Sequence, residues 1–264
     1  MSAQPQAQQP VLLRDERDGI ATLTLNRPAQ MNLLTAEMLA ALQDALDAIQ
    51  KNKDIRVVVL AAAGKGFCAG HDLKEIRALG DQARISALFA QCSRMMMTIQ
   101  NLSQPVIAKV QGPAAAAGAQ LVAQCDLAVA SEAAKFVTSG VTWGFFCSTP
   151  GVAIGRNLQR KHAMEMLLTG EPISARRAME WGLVNKVVAA GALDGETLSL
   201  ARTIASKPAA TVAAGKRAFY RQMDMDLTHA YQLAGEVIAS SFAHAEGKEG
   251  MAAFIDKRPP DWKR

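Results

Sequence analysis

The chain has 264 residues, half of them hydrophobic, enough to bury a large single core with a C-terminal appendage. Its formal charge is +5, but basic and acidic residues are interspersed and no lysine or arginine cluster interleaves with aromatics, which argues against a nucleic-acid partner. The four cysteines, Cys68, Cys92, Cys125 and Cys147, lack CxxC or His-rich spacing, so neither a metal site nor a disulfide framework is expected.

Residues 1–10 form a Gln/Ala/Pro tail, expected to be disordered. The tail has no basic n-region, no apolar h-region and no arginine, and no membrane span follows it, so the expected location is cytoplasmic. Val11–Arg14 and Ile20–Leu25 read as a hairpin turning at Asp18-Gly19. Thr35 is a good N-cap for a helix with Met38, Leu42, Leu46 and Ile49 on one face. Ile55–Ala61 is a β-branched run typical of a buried parallel strand. It leads into a small-residue loop, Gly64–Gly70, and a short helix from Asp72. A longer helix carries Ile85, Leu88, Phe89, Cys92, Met95, Met96 and Ile99, and its methionine run reads as adaptable packing.

Val106–Val110 is another buried strand, followed by a Gln111-Gly112-Pro113 turn and then Ala114-Ala115-Ala116-Ala117-Gly118. This Ala-rich turn runs into an apolar helical stretch. A strand, a turn of residues with almost no side chain and a helix start let backbone N–H groups approach a ligand, with the helix N-terminus adding partial positive charge. Close helix-against-sheet packing would select the same residues. Two such loops can supply two donors to one oxygen, an oxyanion hole. Strands follow at Leu127–Ala130 and Lys135–Thr138, then a linker over Ser139–Gly151. From Arg160 the chain is mainly helical, with Gly170 and Gly182 as helix stops and Val184–Val188 as a further short strand. From about Leu198 to Lys257 three amphipathic helices carry more apolar residues than one domain side needs, which suggests a subunit interface. Alternating strands and helices give an α/β core over 11–195 and a helical region over 196–264.

The Phe67–Ile76, Pro105–Asp126 and Leu168–Val188 segments, in this order and spacing, resemble the crotonase (enoyl-CoA hydratase/isomerase) superfamily. The resemblance runs from about Val11 to Lys257. It implies a spiral of ββα turns with a helical C-terminal region, and a homotrimer that often pairs into a hexamer. It also implies a fatty acyl- or enoyl-CoA ligand, with no cofactor beyond the coenzyme A of the substrate itself. The thioester carbonyl would bind the backbone N–H groups of His71 and Ala117. The adenine would pack around Cys68, Ala69, Asp72 and Leu73, with Gln30 and Met31 nearby, and Phe242, Phe254 and Lys257 would serve the phosphates.

The sequence departs from that family at its acids. The two hydratase glutamates match Gln120 and Gly140 here, and no aspartate or glutamate stands between Lys135 and Gln159. A glutamine can orient water but cannot accept its proton at neutral pH. An aspartate that some isomerases and the aryl-CoA dehalogenase carry matches Ser148, so Cys147, Ser148 and Thr149 are candidates at the acyl end. Their activation needs a base, and His71 is the one candidate. Three functions stay open: an acyl-CoA enzyme with a non-glutamate proton path, which we favour; a non-catalytic acyl-CoA binder; and a thioesterase or decarboxylase. Weak standard hydration is expected, and glutamates restored at 120 and 140 should recover part of it, incompletely because the longer Phe145–Thr149 loop is expected to crowd the water position, and with strain if Gly140 needs a positive φ.

Overall fold

Asp18 and Gly19 both take positive φ (54° and 75°), the backbone of a type I′ turn whose twist matches the strands on either side. They join β1 (Leu12–Arg17) to β2 (Ile20–Leu25) in antiparallel register. The computed structural model describes residues 9–262, so residues 1–8 of the expected tail lie outside it.

After a 3-10 turn the Thr35 hydroxyl accepts the Met38 N–H and starts α1 (Ala36–Lys51), which buries Met38, Leu39, Leu42, Leu46 and Ile49. β3 (Val57–Ala62) is followed by α2 (Leu73–Leu79), capped by the Asp72 carboxylate, and by α3 (Gln82–Asn101). β4 (Val106–Val110), β5 (Ala114–Ala115) and α4 (Ala117–Gln124) make the next unit. β6 (Leu127–Ser131), β7 (Lys135–Val137), a 3-10 turn at Ser139–Trp143 and α5 (Ser148–Asn157) repeat the order. Then come α6 (Arg160–Thr169), β8 (Ile173–Ser174), α7 (Ala175–Trp181), β9 (Lys186–Val188), a further 3-10 turn and α8 (Leu193–Ala205). The described chain ends with α9 (Ala209–Gln222), α10 (Leu227–Ala243) and α11 (Ala245–Ile255).

The large sheet has the order β1-β2-β3-β4-β6-β9 and is parallel beyond the first hairpin. A small second sheet, β5-β7-β8, is extended by single bridges between Leu34 and His71 and between Cys68 and Ala114. Each pass of the chain therefore lays one long strand in the first layer, one short piece in the second and a helix outside. This is a spiral of ββα turns.

Within β3 the side chains alternate between two cores. Val58 and Leu60 enter the main core shared with α1 and α3, while Val57 and Val59 enter a smaller one closed by Leu193 and Ala201 of α8. Burial on both faces explains why the run is continuously apolar. Gly170 and Gly182 end α6 and α7 in left-handed conformation, as their positions suggest.

The Ser139–Gly151 linker is more structured than expected. It contains the 3-10 turn and the first turn of α5, where Pro150 sits at the third helical position and forfeits only an N–H that has no partner within the helix.

The helices after α8 touch the core mainly through α9. Lys216 Nζ donates to the Ile99 and Gln104 carbonyls and to Asp126 Oδ2 at 2.7 Å, and Tyr220 donates to Asp126 Oδ1. Asp126 also accepts the Val106 N–H, so one carboxylate ties β4, β6 and α9 together. Burial pushes the Lys216 ammonium down from its ordinary value, and Asp126 opposes that shift. On the outer face Leu227, Tyr231, Ile238, Phe242, Phe254 and Ile255 are exposed in the single chain. No helix among the described residues is long and apolar enough to cross a membrane.

Candidate active site

The loop after β3 is held by side-chain amides from two other loops. Asn32 is fully buried at φ 53°, and its Nδ2 donates to the carbonyls of Ala63 (2.9 Å) and Gly66 (3.1 Å) while Oδ1 accepts the Arg27 N–H. Gln111 Nε2 donates to the carbonyls of Ala62 and Gly66, both at 2.9 Å. The Ala69 N–H reaches the Met31 carbonyl at 3.0 Å, and the Leu34 N–H reaches that of Gly70 at 2.8 Å. Asn32 and Gln111 were not singled out from sequence. Asn32 carried one faint signal, a short polar side chain that tolerates the left-handed region.

The second loop leans on the first. A Cβ on Gly118 would stand 2.1 Å from the Cys68 carbonyl oxygen, so the first turn of α4 can approach this closely only with glycine there. The tight packing that competed with ligand binding as a reading of the Ala-rich turn is therefore present, and it brings the two loops together. Gly70, at φ 92°, lies beside α4: a Cβ on it would be 3.2 Å from the Ala117 nitrogen. Ala116, the residue before α4, takes φ 49° and ψ −116°, and its N–H donates to the Val137 carbonyl. For an alanine this is a strained backbone. The next N–H, that of Ala117, begins the helix and has no acceptor among the described residues, and neither has the N–H of His71.

Beside these two donors opens a cavity of about 730 Å³. Of the expected site residues, Ala69, His71, Leu73, Ala117, Gly140 and Ser148 form its wall. Apolar surface comes from Leu33, Ile76 and Phe89 and, as a second group in sequence, from Trp143, Phe145, Phe146 and Pro150. The three aromatics of the second group are exposed at 46–69%. The wall contains no aspartate or glutamate. Its titratable side chains are His71 and Cys147, joined by the hydroxyls of Ser139, Ser148 and Thr149.

His71 Nδ1 lies 3.1 Å from the Leu34 carbonyl oxygen. A carbonyl only accepts, so Nδ1 carries the proton and Nε2 of the neutral ring is an acceptor. Nε2 is buried without a partner, and the ring meets Phe89 edge to face at 4.9 Å. Burial pushes the imidazole below its ordinary value of 6.5, against the Leu34 hydrogen bond. Burial also raises the Cys147 thiol, opposed by the Gly140 N–H that its Sγ accepts at 3.3 Å.

Gly140 does not have positive φ, so the anticipated backbone obstacle to a glutamate there is absent. The obstacle is space: a Cβ would stand 2.7 Å from the Phe145 carbonyl oxygen and 2.8 Å from Cys147 Sγ. The segment after the 3-10 turn has folded into the room a side chain at 140 would need. Gln120 is buried within α4 with Oε1 unpartnered, and it is not part of the cavity wall. Ser148 Oγ reaches only the Phe146 carbonyl, at 3.4 Å, with no base beside it.

The remaining candidates lie off this wall. Cys68 is fully buried, its thiol pushed up to about 12 by burial, and Asp72 caps the Lys74 N–H. Gln30 and Met31 lie in the loop that receives the Ala69 N–H. Phe242 and Phe254 are exposed on α10 and α11, and Lys257 follows α11 at φ 54°. No cluster able to hold a metal ion occurs among the described residues.

The family model described as enoyl-CoA hydratase/isomerase matches residues 15–264. The chain is 46% identical over 245 residues to human enoyl-CoA hydratase domain-containing protein 3, mitochondrial, which covers 93% of this chain and 81% of that protein. It is similar to the crystal structure of that human protein at TM-score 0.93 and 44% identity, covering 96% of this chain and all of that one. The crystal structure of an enoyl-CoA hydratase of Mycobacterium smegmatis gives TM-score 0.95 and 51% identity, with 96% of this chain and 99% of that one covered.

Proposed function

Since the chain belongs to the enoyl-CoA hydratase/isomerase family, we propose that it binds an acyl-CoA thioester in this cavity and draws negative charge onto the thioester oxygen. The observation that carries the reading is the pair of unpartnered backbone donors, His71 N–H and Ala117 N–H, beside an apolar cavity. Donors fixed before the substrate arrives need no reorganisation as charge develops, and each is worth on the order of 3 kcal/mol in acyl transfer. The aliphatic and aromatic wall suits a neutral hydrocarbon acyl group and offers no cation to a second carboxylate.

The test compares an acyl-CoA with the matching S-alkyl-CoA, which lacks only the carbonyl oxygen. The thioester should bind more tightly, and Ala117→Pro, which deletes one N–H at a helical position that tolerates proline, should shrink the difference. Equal binding of thioester and thioether by the wild-type protein would sink the reading.

The wall without a carboxylate also favours a second reading, an acyl-CoA binder without turnover. A panel of acyl-CoAs incubated with the protein and followed by mass spectrometry separates the two. Under the first reading, crotonyl-CoA hydration should still trail two-glutamate relatives by roughly 10²-fold or more, as expected when an acid–base group is missing.

A further inference from the structure

A second cavity, of about 350 Å³, opens where α9 crosses the C-terminal ends of α1 and α3. We propose that it binds a small phosphorylated sugar, with Arg217 and Arg221 taking the phosphate. The proposal goes beyond the acyl-CoA reading and does not rest on it.

This cavity shares no wall residue with the one beside His71. The helix α3 contributes to both, Phe89 to the first and Gln100 to the second. At the rise of an α-helix those two positions are about 16 Å apart. On the α9 side, Ala213, Arg217, Tyr220 and Asp224 recur every three or four residues, so a single helix face forms that wall.

Charge on this face is unbalanced. Arg217 and Arg221 are like charges four residues apart, an arrangement that weakens a helix unless an anion holds them. The ion pairs nearby are Lys216 with Asp126 at 2.7 Å and Arg156 with Asp224 at 3.5 Å. Both carboxylates are thereby engaged, and neither arginine has an acidic partner among the described residues. Asp126 is further occupied by the Tyr220 hydroxyl and the Val106 N–H, so it presents no free negative charge to the cavity. Both arginines are exposed, and their long side chains can turn to a ligand without disturbing the fold. Two planar forks suit the oxygens of one phosphate group.

The opposite wall supplies hydrogen-bond donors. Gln100 Oε1 accepts from Gln124 Nε2, which leaves the Gln100 Nε2 protons to give. Ser103 Oγ accepts from Gln50 Nε2, which leaves its own hydroxyl proton. The side-chain amide of Asn101, the last residue of α3, has no partner among the described residues. Amides and a hydroxyl in this arrangement pair with the hydroxyls of a sugar. A bare phosphate ion would occupy only a fraction of the volume and reach the arginine side alone.

The experiment is calorimetric titration of the full chain with ribose 5-phosphate, inorganic phosphate and ribose. The proteins are wild type, Arg217→Gln, Arg221→Gln and the double variant, with melting measured in parallel. Ribose 5-phosphate should bind at one site and more tightly than inorganic phosphate, while ribose should not bind. Each glutamine should raise the Kd by about 10-fold or more, and added salt should weaken wild-type binding. Arg217→Lys should restore part of the loss, because an ammonium keeps the charge without the fork. Butyryl-CoA binding should be the same in wild type and the double variant, as expected of separate cavities. Ribose 5-phosphate that binds wild type no more tightly than inorganic phosphate overturns the proposal. Undiminished binding by a folded double variant does so too, as does loss of butyryl-CoA binding in that variant. Failure of wild type to bind butyryl-CoA counts against the acyl-CoA reading alone.

Discussion

Four residues carry information that a pattern cannot. Ala116 sits at φ 49° and ψ −116°, a conformation that costs an L-residue about 1–3 kcal/mol. Ala116→Gly is expected to be neutral or stabilising by about 1 kcal/mol in urea denaturation, because relief of strain offsets the added freedom of the unfolded chain. A loss of that size would mean the surroundings do not impose the strain. Gly118→Ala should behave oppositely and destabilise by about 3 kcal/mol, since its methyl would meet the Cys68 carbonyl at 2.1 Å. Gly140 shows how a substitution can look feasible in one dimension and fail in three. The loss of acids was readable from Gln120 and Gly140 as residue types. The longer Phe145–Thr149 loop was expected to crowd the water position, but Phe145 and Cys147 take the room of the side chain itself, so Gln120→Glu with Gly140→Glu should perturb the loop and leave crotonyl-CoA hydration near the wild-type level. His71 gives a pH signature. Its folded value lies below 6.5, so between that value and 6.5 the unfolded chain binds more proton than the folded one. The contribution of His71 to the unfolding free energy therefore rises with pH across that window and is level outside it. His71→Gln should remove this contribution from the melting curves taken across that range.

Among the elements, the hairpin, α1 and the long strands were legible because each is specified locally. Asp18-Gly19 selects its turn, Thr35 supplies its own cap, and β3 is apolar on both faces. Of the small sheet, β7 was legible as a strand over Lys135–Thr138, whereas β5, β8 and the start of α5 were not, and the reason is length. β5 and β8 have two residues each, too few for any period, and Pro150-Gly151 reads as a break unless the helix start is already known. The site was half legible for a related reason. Small-residue loops announce themselves, whereas the amides of Asn32 and Gln111 act across more than 30 residues of chain. The docking of α9 was likewise hidden, because Lys216, Asp126 and Tyr220 are individually ordinary. Lys216→Met would leave the Asp126 carboxylate buried beside Tyr220 without its cation, and should cost about 3 kcal/mol in chemical denaturation. An unchanged midpoint would show that solvent reaches the carboxylate.

For the whole molecule, the feature that stands out is the apolar outer surface of the last helices. Leu227 and Tyr231 are each 73% exposed and Phe254 86%, and α9 to α11 bury few side chains within the chain itself. Surfaces of this kind mark interaction sites. Self-association as a trimer or hexamer is the expected use. Ile238→Glu with Phe242→Glu should shift sedimentation to a smaller species while the core keeps its melting point. A wild-type protein that sediments as a monomer would remove the need for a self-contact.

The two donors at the cavity have a consequence for any mutational survey of this protein. They are main-chain groups, and at one of the two places the residue is already Ala117. An alanine scan would pass over that position without making a change, and at His71 it would delete the imidazole but keep the N–H. Such a scan would report side-chain chemistry alone. Backbone ester substitution, which replaces a single N–H by oxygen and leaves every side chain in place, is the survey matched to this architecture.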